Sequence, residues 1–224
     1  MKIIGHLVCQ NGVEGILRTL DSIYPVVDET YVVDGGSTDG TLGILNRFKK
    51  SYNITIFENK FERLDKQRNF LLDKTEKDCW IVNIDQDEKL TSFATKNLRD
   101  FINMVSEDSY KSEYPLTIIL PLINLVNNPL TIREDNCYNT NKIFYYKEGL
   151  RFVEPYHCHI EYEGQKLKEN YEQITAPDGM AVLHYARLDQ ERYDKWEEDK
   201  IRREYRWDEW DPMSPAVELD KIWW

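Results

Sequence analysis

Several signals are missing from this chain of 224 residues, and each absence removes a class of function. Four cysteines (Cys9, Cys79, Cys137, Cys158) form no CxxC pair and keep no regular spacing, which excludes a disulfide framework and a zinc knuckle. Cys9 and Cys79 sit in apolar, strand-like runs, where a reduced cysteine is a small core residue. The richest apolar stretch, Leu116 to Val126, is interrupted by Pro121 and Asn124 and is too short to cross a bilayer. The opening MKIIGHLVCQNG has neither the apolar core nor the small-residue cleavage site of a signal peptide, and reads as a buried first strand. A cytoplasmic protein is expected, with a peripheral membrane position left open.

Basic charge is scarce too. Forty acidic against 29 basic residues give a net charge of −11, which repels phosphate backbones and argues against nucleic-acid binding. Any phosphorylated substrate would need a cation as intermediary. No GxGxxG, no P-loop GxxxxGK[ST], no EF-hand spacing and no internal repeat occurs. What remains is a globular composition, 41% hydrophobic and 31% charged.

The first half alternates strand and helix signals. Lys2–Cys9, Thr30–Val33, Asn53–Phe57 and Trp80–Ile84 read as strands; Glu14–Ile23, Thr41–Lys50 and Lys66–Asp73 read as helices. This alternation predicts an α/β fold with parallel strands, whose ligands bind beyond the carboxyl ends of the strands. Three of those ends run into polar loops: Gln-Asn-Gly at 10–12, Asp-Gly-Gly-Ser at 34–37 and Asp-Gln-Asp at 85–87. From about residue 91 the pattern becomes α+β: a helix over Phe93–Val105, strands over Thr117–Val126 and Lys142–Tyr146, and an extended Arg151–Tyr162. Asp189–Trp210 reads as a charged helix carrying Tyr193, Trp196, Tyr205, Trp207 and Trp210. The expected organisation is one domain over 1–188, divided into 1–90 and 91–188, with a C-terminal helical appendage over 189–224.

Asp85 and Asp87, two apart at the end of an extended strand, point to one side. Such carboxylates repel, and a hard divalent ion bound beside them relieves the repulsion and bridges to a diphosphate. An acidic turn in water is the competing reading. In VVDGGSTDGT (32–41) the glycines allow a sharp turn that leaves Asp34 at the strand tip, free to accept hydrogen bonds from a base or a sugar. Arg68 suits phosphate oxygens, with a surface ion pair to Asp65 or Glu62 as its plain alternative.

Taken in order, these residues resemble the nucleotide-binding half of family-2 glycosyltransferases of the GT-A fold. Asn11 followed by Leu17, Leu20 and Ser22 resembles the opening loop and helix. VVDGGSTDGT resembles the second-strand signature, Gln67-Arg68-Asn69 the QRN segment, and NIDQDE the DxD motif. The chain departs from the pattern at Gly12, where a glutamate often stands, and at Gly35. The resemblance implies a Rossmann-like mixed sheet flanked by helices, with an α+β acceptor-side half. It also implies a metal-dependent inverting transfer from a nucleoside-diphosphate sugar, by default a UDP-sugar, to a hydroxyl on a glycan, lipid-linked or protein acceptor.

By the same carry-over, Asn11 belongs to the nucleotide-binding set, Asp34 contacts the base, Asp85 the ribose or the metal shell, and Arg68 the diphosphate. Asp87 ligates Mn²⁺ or Mg²⁺, and His184 in Leu-His-Tyr completes the metal site. The general base is sought in the second half, where Glu161, His159 and Glu154 lie in or beside Pro-Tyr-His-Cys-His-Ile-Glu at 155–161. In an extended segment His157, His159 and Glu161 share one face. A nucleotidyltransferase and a degenerate sugar-nucleotide- or glycan-binding module are the alternatives, and a homo-oligomer is compatible with the sequence.

Overall fold

A computed structural model describes residues 1–109, 112–125, 131–153, 159–166, 173–185 and 216–218. The amino-terminal half runs β1 (Ile3–Cys9), α1 (Ile16–Ile23), β2 (Glu29–Asp34), α2 (Thr41–Phe48), β3 (Ile54–Glu58), α3 (Leu64–Lys74) and β4 (Cys79–Asp85). It continues through β5 (Glu88–Leu90), α4 (Ser92–Ser109), β6 (Thr117–Leu125), β7 (Thr131–Tyr146), β8 (Leu150–Val153) and β9 (His159–Tyr162). Last come β10 (Gln165–Lys166), β11 (Gln173–Thr175), β12 (Val182–His184) and β13 (Ala216–Glu218).

The main sheet has the order β3-β2-β1-β4-β7-β6-β12-β5, with β11 on β6 and β13 on β7. β1, β2, β3 and β4 are parallel, whereas β7 runs antiparallel to both β4 and β6. Only Gln86 and Asp87 separate β4 from β5 in sequence, so a sheet that places these two strands far apart in its order curls back on the end of β4. Every residue of β1 is buried, as a central parallel strand covered on both faces requires.

Period-2 alternation sorts its side chains. Ile3, Leu7 and Cys9 join Ile16, Leu20 and Ile23 of α1, Leu45 of α2 and Ala94, Leu98 and Ile102 of α4 in the larger core. On the other face Val8 packs with Leu71 of α3, and Ile4 with Leu72, Phe144, Phe152 and Ile160. Each of these large aliphatic side chains stabilises the fold by about 1.5–3 kcal/mol relative to exposure. A smaller antiparallel sheet, β10-β9-β8, thus closes the α3 side. Cys9 and Cys79 are buried free thiols, as expected of core residues.

The extended segment expected over Arg151–Tyr162 is an antiparallel pair, β8 with β9, joined by residues outside the described set. Of the stretch 189–224 only Ala216–Glu218 are described, and they form a strand on Thr131–Arg133 of β7. The helix read over Asp189–Trp210 lies outside the described residues. Among the described residues no helix is long and apolar enough to cross a membrane.

Candidate active site

Register places three strand ends level: Cys9 lies opposite Asp34, and Val8 opposite Asp85. The loops beyond them interlock through side chains that satisfy backbone groups. Asn11, in a left-handed conformation (φ 52°), accepts the Thr38 N–H on Oδ1 at 2.9 Å, and its own N–H donates to Ser37 Oγ at 2.9 Å. The Gly12 N–H donates to Thr41 Oγ1 at 2.9 Å and the Val13 N–H to Asp39 Oδ2 at 3.0 Å.

Asp34 is not the free acceptor that its position at the strand tip suggests. Its Oδ2 accepts the N–H groups of Gly36 and Ser37 at 3.1 and 2.9 Å, and its Oδ1 accepts the Ser37 hydroxyl. The carboxylate therefore closes its own loop, as a short acidic side chain beside free backbone amides does.

Gln86, the middle residue of the acidic motif, straps the first loop. It accepts the Gln10 N–H at 2.9 Å and donates to the Gln10 carbonyl at 3.0 Å. A Cβ on Gly12 would lie 2.4 Å from Gln86 Oε1, and one on Gly15 would lie 2.5 Å from the Gln86 carbonyl oxygen. A side chain at 12 would thus have to displace the Gln86 amide. Gly35 is likewise required by close approach, since a Cβ there would stand 2.9 Å from Phe61 Cβ.

The QRN segment lies on α3, and each of its residues has a distinct partner. Gln67 donates to the Asn59 carbonyl at 2.7 Å, which anchors the loop after β3. The Asn69 amide makes two bonds to the Phe152 backbone, accepting its N–H at 2.9 Å and donating to its carbonyl at 2.8 Å. Arg68, 4% exposed, donates from Nη2 to Asp85 Oδ1 at 2.7 Å and lies over the Phe152 ring, 5.4 Å from its centroid. The surface alternative belongs to its neighbour, for Arg63 is the residue that pairs with Asp65 at 2.6 Å.

Asp85 has a second cationic partner that sequence reasoning missed. Lys142 of β7 places Nζ 3.0 Å from Asp85 Oδ2 and 2.7 Å from Glu88 Oε2. Burial disfavours the ionised form of Asp85, but the charges and hydrogen bonds of Arg68 and Lys142 outweigh it and hold the carboxyl far below its usual range. For Glu88 the balance reverses, because burial and the charge of Asp85 raise its carboxyl despite Lys142.

Strand pairing delivers His184. Antiparallel register between β12 and β5 sets His184 opposite Glu88, and the Tyr185 N–H donates to the Asp87 carbonyl at 2.8 Å. His184 Nδ1 lies 2.6 Å from Asn124 Oδ1, and Nε2 faces Asp87 Oδ2 at 3.7 Å. Burial lowers the imidazole pKa, while the hydrogen bond and charge of Asp87 raise it; the net shift is upward. The guanidinium of Arg18 on α1 stacks 3.8 Å from the Tyr185 ring centroid and ties the helix to this corner.

An amide oxygen on Nδ1 orients the ring as metal-binding histidines are oriented, with Nε2 presented beside a carboxylate. Oxygen and imidazole donors suit Mn²⁺ or Mg²⁺, so Asp87 and His184 fit such an ion. Asp85 does not join them, because its oxygens already receive Arg68 and Lys142. Among the described residues no group of three His, Cys, Asp or Glu side chains is placed to hold a metal.

Two of the expected base candidates, His159 and Glu161, lie on β9. Ile160 is buried beside its register partner Phe152, so alternation turns the exposed His159 and the half-buried Glu161 to the opposite face of β9. Glu154, with His157 and Cys158, lies outside the described residues.

The sequence model of the family described as Glycosyl transferase family 2 matches residues 6–114. An uncharacterized glycosyltransferase of Rickettsia felis is 29% identical over 113 residues, which are 50% of this chain and 37% of that protein. The chain thus spans little more than a third of that curated relative. Among solved structures, residues 1–349 of TarS from S. aureus align at 19% identity with a TM-score of 0.56, over 87% of this chain and 63% of that one. The same protein in complex with UDP-GlcNAc aligns at 19% identity with a TM-score of 0.52, over 80% and 60%. At this identity the likeness establishes a shared GT-A fold.

Proposed function

We propose that the chain, which the glycosyltransferase family 2 model matches over residues 6–114, transfers a sugar from a nucleoside-diphosphate sugar to an acceptor hydroxyl. The observation that carries this reading is the level convergence of Asp34, the Arg68–Asp85 pair and the Asp87–His184 pair at the carboxyl ends of β2 and β4. A UDP-sugar is the proposed donor, in line with the UDP-GlcNAc complex of the TarS neighbour.

Asn11 and the 34–41 loop receive the base. Asp34 reaches it by exchanging the Ser37 hydroxyl for a donor on the base. Asp85, fixed by Arg68 and Lys142, presents its outer edge to the ribose, and Arg68 adds positive charge toward the diphosphate. Asp87 and His184 would hold Mn²⁺ or Mg²⁺. Such an ion, when bound, neutralises charge on a departing diphosphate. The inverting course requires in-line attack by an acceptor oxygen whose proton passes to a base from the acceptor-side half, with Glu161, His159 and Glu154 as candidates. Positioning and fixed charges supply most of the acceleration.

The test is nucleoside-diphosphate release from a panel of UDP-, GDP- and dTDP-sugars, with Mn²⁺, Mg²⁺ or chelator, beside Asp87→Ala. Chelator-sensitive release of one nucleoside diphosphate, lost in the variant, is the expected result. Pyrophosphate release would make the protein a nucleotidyltransferase, and nucleotide binding without turnover would make it a binding module.

A further inference from the structure

The two-residue turn between β4 and β5 brings Asp85 and Glu88 so close that the Asp85 N–H donates to Glu88 Oε2 at 3.0 Å. Glu88 is 2% exposed, and two ionised carboxylates in such surroundings repel strongly. The ammonium of Lys142, whose side chain is 13% exposed, bridges them at 3.0 and 2.7 Å. Arg68 reaches both oxygens of Asp85, so the formal charges of the two acids and two bases balance. Lys142 comes from β7, next to Ile143, the register partner of Val82 on β4, and enters a position fixed by the sheet itself.

An ammonium between two carboxylates meets the oxygens that a hard divalent ion would otherwise take. We propose that Lys142 is a positioning residue that stands in for a second divalent cation at the acidic strand end. The donor's cation is thereby confined to Asp87 and His184, and Asp85 is kept off it. This inference rests on the glycosyltransferase reading above. It also accounts for an acidic motif in which Asp87 pairs with an imidazole while Asp85 and Glu88 share an ammonium. A lysine does this with one charge and a fixed tether, so the turn keeps its shape whether or not donor is present.

The experiment counts Mn²⁺ bound to the full chain, by electron paramagnetic resonance of the free ion, with no nucleotide present. Wild type and Lys142→Arg are expected to bind one Mn²⁺, lost in Asp87→Ala. Lys142→Met is expected to bind two, and the double variant Lys142→Met/Glu88→Gln to return to one. One ion in Lys142→Met, or two in the wild type, would overturn the proposal while leaving the donor site intact. No ion in the wild type but one in Lys142→Met would break the metal reading of Asp87 and His184 and still support the role of Lys142. Should circular dichroism show Lys142→Met unfolded, Asp85→Asn decides. Loss of affinity below about tenfold, the scale of one neighbouring charge, supports the proposal. Loss of about tenfold or more, as when a group supporting the ion is removed, overturns it.

Discussion

Asn69 offers a quantitative test of how the site is built. Strand β8 is an edge of its sheet, and the Asn69 amide covers that edge by pairing with both backbone groups of Phe152, at 2.9 and 2.8 Å. Replacing Asn69 with alanine removes two hydrogen bonds of about 0.5–1.5 kcal/mol each and leaves a backbone N–H and carbonyl of a residue 2% exposed without that cover. The combined cost is about 2–4 kcal/mol, or a fall in Tm of roughly 5–15 °C for a chain of this size. Asn69→Asp should cost at least as much, because an oxygen would then face the Phe152 carbonyl. The ring of Phe152 lies beneath the Arg68 guanidinium, so both variants should also weaken UDP binding severalfold. Thermal and urea denaturation give the stabilities and calorimetry the affinity. A Tm within about 1 °C of wild type for Asn69→Ala would refute the reasoning, since a lost pair of bonds must exceed that shift.

Burial holds the His6 imidazole at a pKa of about 3, and its Nδ1 is buried with no hydrogen-bond partner among the described residues, while Nε2 meets Thr75 Oγ1. Between pH 6.5 and about 3 the unfolded chain therefore binds a proton that the folded chain refuses. Stability should fall across that window by about 1.4 kcal/mol per pH unit more in wild type than in His6→Gln, and equal slopes in denaturant titrations would contradict this. Gly15→Ala should destabilise by about 1–3 kcal/mol, because the Gln86 carbonyl in its way also accepts the Thr19 hydroxyl and cannot yield. Gly43→Ala, facing open space inside α2, should stabilise by about 0.5–1 kcal/mol; matching signs in calorimetric scans would refute the packing argument.

The amino-terminal half could be read from its residues because there local pattern and global fold agree. β1 is apolar apart from His6, and the apolar positions of α1 recur at helical spacing, so burial dictates both elements. Strand β7 was legible only over its last five residues. Its earlier part, Thr131–Asn141, carries Arg133, Glu134, Asp135 and Asn136, and no apolar alternation marks it as a strand. Lys142 was overlooked for the same reason: a lone lysine entering an apolar run gives no sign of the acids that its neighbour strand supplies. Glu88 read as part of a solvated turn, yet the curl of the sheet buries it as the first residue of β5. His184 was named from a resemblance, and only the register of β12 with β5 explains how it reaches Asp87. The strand-tip position of Asp34 is legible in the sequence but its orientation is not, because nothing there says whether such an acid turns outward or closes its own loop.

On the proposed function, the nucleotide site at the end of β4 depends for its affinity on an ion held by Asp87 and His184. The direct test is calorimetric titration of UDP into the wild-type chain and into Asp87→Ala, each with Mn²⁺ and with chelator. Binding that requires Mn²⁺ in the wild type, and that weakens at least about tenfold in the variant, is the predicted result. UDP binding of equal strength with and without the ion, or no binding under either condition, would contradict it.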